Sequence, residues 1–166
     1  MKFIVIFFSL CLLTMLNGGT VPFRSGEILA AEISRAKPSI NNWNVNLFGM
    51  NSASSYAAVA VRIHPKRKIS IYDYALAVNG VNHACVAIRT DGGTFEYTQK
   101  ALSAEKGEIF TLLFFLKDVN VSDVRGSVSL VSLIPPTVNE LVPLKITNRN
   151  GSTLCPFNAI RKDGNF

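Results

Sequence analysis

The chain has 166 residues, with 17 Lys and Arg against 11 Asp and Glu, for a formal net charge of +6. That length buries one domain's core, and 48% hydrophobic with only 17% charged residues excludes a disordered polar chain. The positive balance is mild, enough to keep a basic surface soluble without demanding a polyanionic partner.

Met1-Lys2 places one charge before residues 3–16, an almost wholly apolar run that Asn17-Gly18-Gly19-Thr20 breaks. A charged end, a short apolar core and a small polar exit form a secretory signal. A membrane-crossing helix needs about 20 apolar residues, and here Arg24 and Glu27 follow too soon. Cys11 sits in mid-run behind the bulky Leu10, which does not suit a lipoprotein cut. A signal peptide is therefore expected over residues 1–19, with Ala30 or Ala31 as a later cut. A cut after residue 30 removes Lys2, Arg24 and Glu27 and leaves a charge of about +5. The expected location is extracellular, periplasmic or cell-surface, with no membrane span after cleavage.

Residues 20–54 read as an N-terminal extension. Ile28, Ala31, Glu32 and Arg35 recur at helical spacing until Lys37-Pro38, which predicts a short helix over residues 27–36. Next, Trp43, Val45 and Leu47 alternate with asparagines. That pattern predicts an edge strand; its sharper reading is a carbohydrate contact with Trp43 as the stacking platform.

From residue 55 the chain reads as strand after strand. Ala57, Val59, Val61 and Ile63 alternate with smaller or polar neighbours up to His64-Pro65. Residues 68–78 form a second run ending at Asn79-Gly80, a strong hairpin signal. Residues 84–90 end in Asp91-Gly92-Gly93, and 94–98 follow as a short amphipathic strand. Residues 109–116 are apolar at nearly every position, which predicts a central strand covered on both faces. Residues 127–134 alternate until Pro135-Pro136, and Val142, Leu144 and Ile146 alternate before the Asn148-Arg149-Asn150-Gly151 turn. About seven strands at this spacing predict an all-β fold, an antiparallel β-sandwich over residues 55–166 with a C-terminal tail. A partly open β-barrel is the alternative. The strand order, the Asp91-Gly92-Gly93 turn and the segment 106–116 resemble small exported immunoglobulin-like domains over about residues 55–147. The resemblance implies an architecture that binds, spaces or presents, and it does not extend to a family, because Trp43 precedes both later cysteines.

With Cys11 in the leader, Cys85 and Cys155 remain, and in an exported chain they are expected to pair. Their bond would close about 70 residues, contribute on the order of 4 kcal/mol and pin the tail to the body; two free buried thiols are the alternative. Neither cysteine has metal-ligand spacing with the distant His64 and His83, so no metal and no cofactor is expected. The run Lys66-Arg67-Lys68, at a loop tip after His64-Pro65, reads either as a solvated loop or as a contact for phosphate, anionic polysaccharide or lipid headgroups. Nucleic acid is not expected, since no helix-turn-helix, finger spacing or interleaved aromatics accompany the run.

No Gly-x-Ser-x-Gly elbow or Gly-x-Gly-x-x-Gly loop occurs, and no catalytic residue is assigned. The carboxylates Asp73, Asp91, Glu96, Glu105 and Glu108 are scattered and read as solvent-facing charges, though strand pairing could bring Glu96 and Glu108 together as a hydrolytic pair. Asn120-Val121-Ser122 and Asn150-Gly151-Ser152 are N-glycan acceptors in a eukaryotic secretory pathway. Tyr72, Tyr74, Phe95 and Tyr97 are candidates for exposed aromatic contact. The expectation is an exported, non-enzymatic binding or structural module that meets a protein or an anionic glycan at the cell surface. The alternatives are an exported polymer hydrolase and a subunit of a surface or secretion assembly.

Overall fold

Branched side chains alternating with alanine make residues 56–65 a strand that shows one apolar face, and most of the chain repeats that solution. The computed structural model describes residues 21–36, 56–93, 95–97, 102–116, 119–124, 127–135, 138–148 and 159–161. Among them run thirteen strands: β1 (Val21–Phe23), β2 (Gly26–Ala36), β3 (Tyr56–Pro65), β4 (Ile69–Ser70), β5 (Tyr74–Val78), β6 (Val81–Thr90), β7 (Phe95–Tyr97), β8 (Ser103–Ala104), β9 (Phe110–Leu116), β10 (Val128–Ser132), β11 (Leu141–Pro143), β12 (Ile146–Asn148) and β13 (Ala159–Arg161). The fold is all-β and mainly antiparallel, as the turn spacing predicts.

The main sheet follows the order β1-β2-β3-β9-β6-β5-β10-β11, and β4 with β8 forms a separate ribbon. β11 lies at the far end of this path, yet the chain leaves it through Leu144-Lys145 and enters β12. β12 pairs in parallel with β2, Ile146 opposite Ala31 and Asn148 opposite Ile33. One continuous segment thus joins the last strand of the path to its second strand. The sheet is bent nearly into a barrel, the alternative that the sequence allows, and opposite walls pack across one core as the layers of a sandwich do.

Inward-facing residues repeat at every second position: Val59, Val61 and Ile63 on β3, Phe110, Leu112, Phe114 and Leu116 on β9, Leu76 and Val78 on β5, Val128 and Leu130 on β10. β9 is buried along its whole length, and Leu113 and Phe115, which point away from that core, are covered too. This matches its unbroken apolar sequence. Each fully buried leucine contributes roughly 2–3 kcal/mol.

Three expectations change. Residues 27–36 are strand β2, not a helix, and pair with β3 from Gly26 opposite Pro65 to Ala36 opposite Tyr56. Ile28, Ala31 and Ile33 face the core across a bulge at Leu29, so helical spacing here is a bulged strand's alternation, and ladder pairing overrides a weak propensity. The N-terminal extension therefore supplies a wall of the barrel. Next, the run 68–78 breaks at a 3₁₀ turn, Ile71–Asp73, where the Ser70 hydroxyl accepts from the Tyr72 amide at 3.3 Å and the Asp73 carboxylate accepts from the Ser70 amide at 2.9 Å. This capping box turns the chain between β4 and β5. Finally, the run 142–146 divides into β11 and β12, which pair with different partners. The Asn79-Gly80 hairpin forms as expected, with φ of 50° and 81°, the paired positive values of a type I′ turn.

Candidate anion-binding site

Four segments distant in sequence meet at one end of the barrel. They are the β1–β2 turn, the β3–β4 loop, the start of β5, and the turn between β8 and β9. Gly26 permits the closest approach: a Cβ there would lie 2.5 Å from the His64 carbonyl oxygen. Backbone hydrogen bonds fasten the rest, from the Lys66 amide to Ser25 O at 2.8 Å, from Gly107 to Pro65 O at 3.0 Å, and from Ile71 to Leu102 O at 3.0 Å.

The three expected cations divide by role. Lys66 Nζ lies 3.9 Å from Glu27 Oε1, and Lys68 Nζ pairs with Glu105 Oε1. The Glu105 amide in turn donates to Glu108 Oε2 at 3.0 Å. Both ion pairs are largely exposed, so each is weak. Arg67 behaves differently. Among the described residues its buried Nε and Nη2 meet no acceptor in good geometry, and the buried Tyr74 hydroxyl, though close to Ser25 and Arg67, forms no well-aligned hydrogen bond. Tyr74 is only 1% exposed. Burial pushes its phenol above the usual value; the adjacent Ser25 side chain and Arg67 guanidinium offset part of that rise, and Asp73 adds to it. Ser25 is itself buried. The half-buried Arg67 thus meets the buried Tyr74 and Ser25 at one polar spot beneath the basic loop.

Elsewhere the expectations fare variously. Trp43, Cys155 and Asn150 lie outside the described residues. Asn120 is exposed, at the start of a 3₁₀ turn, Val121–Asp123. Of the four aromatics expected at the surface, Tyr72 is exposed, Tyr74 and Phe95 are buried, and the side chain of Tyr97 lies outside the described ones. Tyr74 faces the core, and Phe95 lies under the Arg89 guanidinium, whose Cζ is 4.7 Å from the ring centroid. Glu96 stands opposite Ile88, which stands opposite Leu112. Glu108 lies in the turn before β9, its carboxylate accepting from the Glu105 amide. Asp91 is engaged by Arg62 at 2.7 Å.

Cys85 is a free buried thiol on β6. Its Sγ–H donates to Ala87 O at 3.3 Å, and burial pushes its pKa up to about 12, the setting of a structural rather than a reactive cysteine. His83, half-buried, has its pKa lowered by desolvation. Among the described residues no group of three His, Cys, Asp or Glu could hold a metal ion, and no helix is long and apolar enough to cross a membrane.

The sequence marks the basic run but not the inward turn of its middle member, nor Tyr74 and Ser25 as its neighbours. Only the strand register brings positions 25, 67 and 74 together, and no local spacing announces it. No protein-family model, curated protein or solved structure matches this chain.

Proposed function

We propose that the chain is an exported, non-enzymatic binding module that holds an anionic partner, a cell-surface glycan or an acidic protein segment, at the Arg67 end of its barrel. The observation that carries this reading is the convergence of four hydrogen-bonded segments on a cationic side chain that has no counter-charge among the described residues. Scaffolded loops of this kind are where sandwiches and barrels place their contacts. Export rests on the leader-like residues 1–19, and the described sheet supports the early cut. β1 begins at Val21, so cleavage at Gly18 or Gly19 leaves the barrel whole, while cleavage at Ala30 or Ala31 removes β1 and half of β2. The expected Cys85–Cys155 bond belongs to the same reading.

Two measurements test it. The intact mass of the secreted protein, with and without reductant, reports the cut and the bond. Retention on sulfated and uronate-bearing glycan supports, against neutral ones, reports the partner class. Salt-sensitive retention that falls in the Lys66→Gln/Lys68→Gln double variant is expected; retention equal on charged and neutral supports ends the anionic-partner reading. A second reading, a subunit of a surface assembly, draws on Leu133, Val138 and Leu141, which are 44%, 50% and 62% exposed around the β10–β11 connection. Concentration-dependent sedimentation abolished by Leu141→Asp would favour it.

A further inference from the structure

We infer that Arg67, Tyr74 and Ser25 form a site for one oxyanion group: a carboxylate, sulfate or phosphate with at least two free oxygens. The inference deepens the binding reading above and rests on it for the source of the anion. Nε–H and Nη2–H lie on the same edge of a guanidinium and point in parallel, the arrangement that grips two oxygens of one oxyanion. In Arg67 it is this edge that is buried and, among the described residues, without an acceptor. Arg62 uses half of the same edge, since its Nη2 donates to Asp91 Oδ2 at 2.7 Å while its buried Nε has no acceptor among the described residues.

The Tyr74 hydroxyl supplies a third donor at the same spot, buried beside Ser25 and Arg67 and, among the described residues, without a well-aligned hydrogen bond. Ser25, beside it, supplies a fourth. Three buried polar atoms left unsatisfied together are costly unless a ligand completes them. The surrounding carboxylates do not, for Glu27 faces Lys66, Glu105 faces Lys68, and Asp73 Oδ2 accepts from the Ser70 amide. An internal acid would have made a closed ion pair; its absence around Arg67, among the described residues, leaves the charge to an outside group. The exposed Lys66 and Lys68 on either side are placed to meet the remainder of a larger anionic molecule.

The experiment follows the thermal midpoint of the secreted protein as acetate, sulfate or phosphate replaces chloride at constant ionic strength. It compares the wild type with Arg67→Lys and Tyr74→Phe. A saturable rise is expected for the wild type, with affinity at least about tenfold weaker in Arg67→Lys, which keeps the charge but loses the fork. Tyr74→Phe keeps the ring and removes one donor, so it remains informative if Arg67→Lys does not fold; its affinity is expected to fall by about threefold or more. Equal, non-saturating responses in all the proteins would reveal general salt effects and overturn the site. A sulfated disaccharide that binds more tightly than inorganic sulfate identifies a glycan as the source, whereas equal affinity identifies the free anion. Saturable anion binding without retention on glycan supports would keep the site and defeat the glycan partner.

Discussion

Phe23 and Tyr74 meet edge to face across the inside of the barrel, their ring centroids 6.0 Å apart and their planes at 87°. Phe23 comes from β1, on the outer side of β2, and Tyr74 from β5, three strands beyond β3 along the hydrogen-bonded path. Such a contact adds to the area the two rings bury. It also makes the first described strand a part of the core.

That contact predicts which N-terminus the folded protein tolerates. A chain starting at Thr20 should unfold cooperatively in urea, and one starting at Glu32, without β1 and half of β2, should show no such transition. Phe23→Ala, at a position only 8% exposed, should cost about 3 kcal/mol. Equal stability of the two truncations would remove β1 from the core.

Gly26→Ala should destabilise more than its size implies. The new Cβ would lie 2.5 Å from the His64 oxygen and 3.0 Å from Pro65 Cα, both backbone atoms, so the hairpin and the β3 end must part. A loss of about 1–3 kcal/mol is expected, with faster hydrogen exchange at the Lys66 amide. Gly80→Ala makes the comparison: nothing lies within 4 Å, but φ is +81°, and about 1–2 kcal/mol of left-handed strain is the expected cost.

Cys85 should resist alkylation in the native protein. With a pKa of about 12 almost no thiolate forms at mildly alkaline pH, and burial blocks the reagent. Iodoacetamide should label it only after denaturation, as mass spectrometry would show. A further requirement for reductant in protein taken from its native host would reveal a bond to Cys155, and rapid native labelling would contradict the burial.

Stability should decline slightly on acidification through His83. Its folded pKa is lowered from 6.5, so above that value both states are neutral and the full stability is present. As pH drops below 6.5, the unfolded state takes up the proton first; the loss grows until pH reaches the folded pKa and then levels off. Because the ring is only half-buried, the change should stay well under about 1 kcal/mol. Urea midpoints at stepped pH, flattened over this window by His83→Gln, would check it.

How well the sequence announces each element depends on where its determinants lie. β3, β9 and the Asn79-Gly80 hairpin are legible because alternation, continuous apolarity and a two-residue turn are local signals. β2 misleads because its bulge at Leu29 shifts the alternation, so that Ile28, Ala31 and Glu32 fall at helical spacing. The 3₁₀ turn at residues 71–73 hides inside an apolar run, although Ser70-x-x-Asp73 is its written sign. The basic loop is plain to see at residues 66–68. Which of its cations is paired depends on Glu27 and Glu105, about forty residues away on either side, and the place of Tyr74 depends on strand partners no less remote.

The parallel seam between β12 and β2 also sets a timetable. Ala31 is synthesised early, and its partner Ile146 arrives about 115 residues later, so the edge of β2 beyond β1 stays open until the chain has emerged through Asn148. Pairings this distant are slow to close, and an open strand edge invites a neighbouring chain. A chain that stops short of Ile146 therefore lacks the strand that covers this edge.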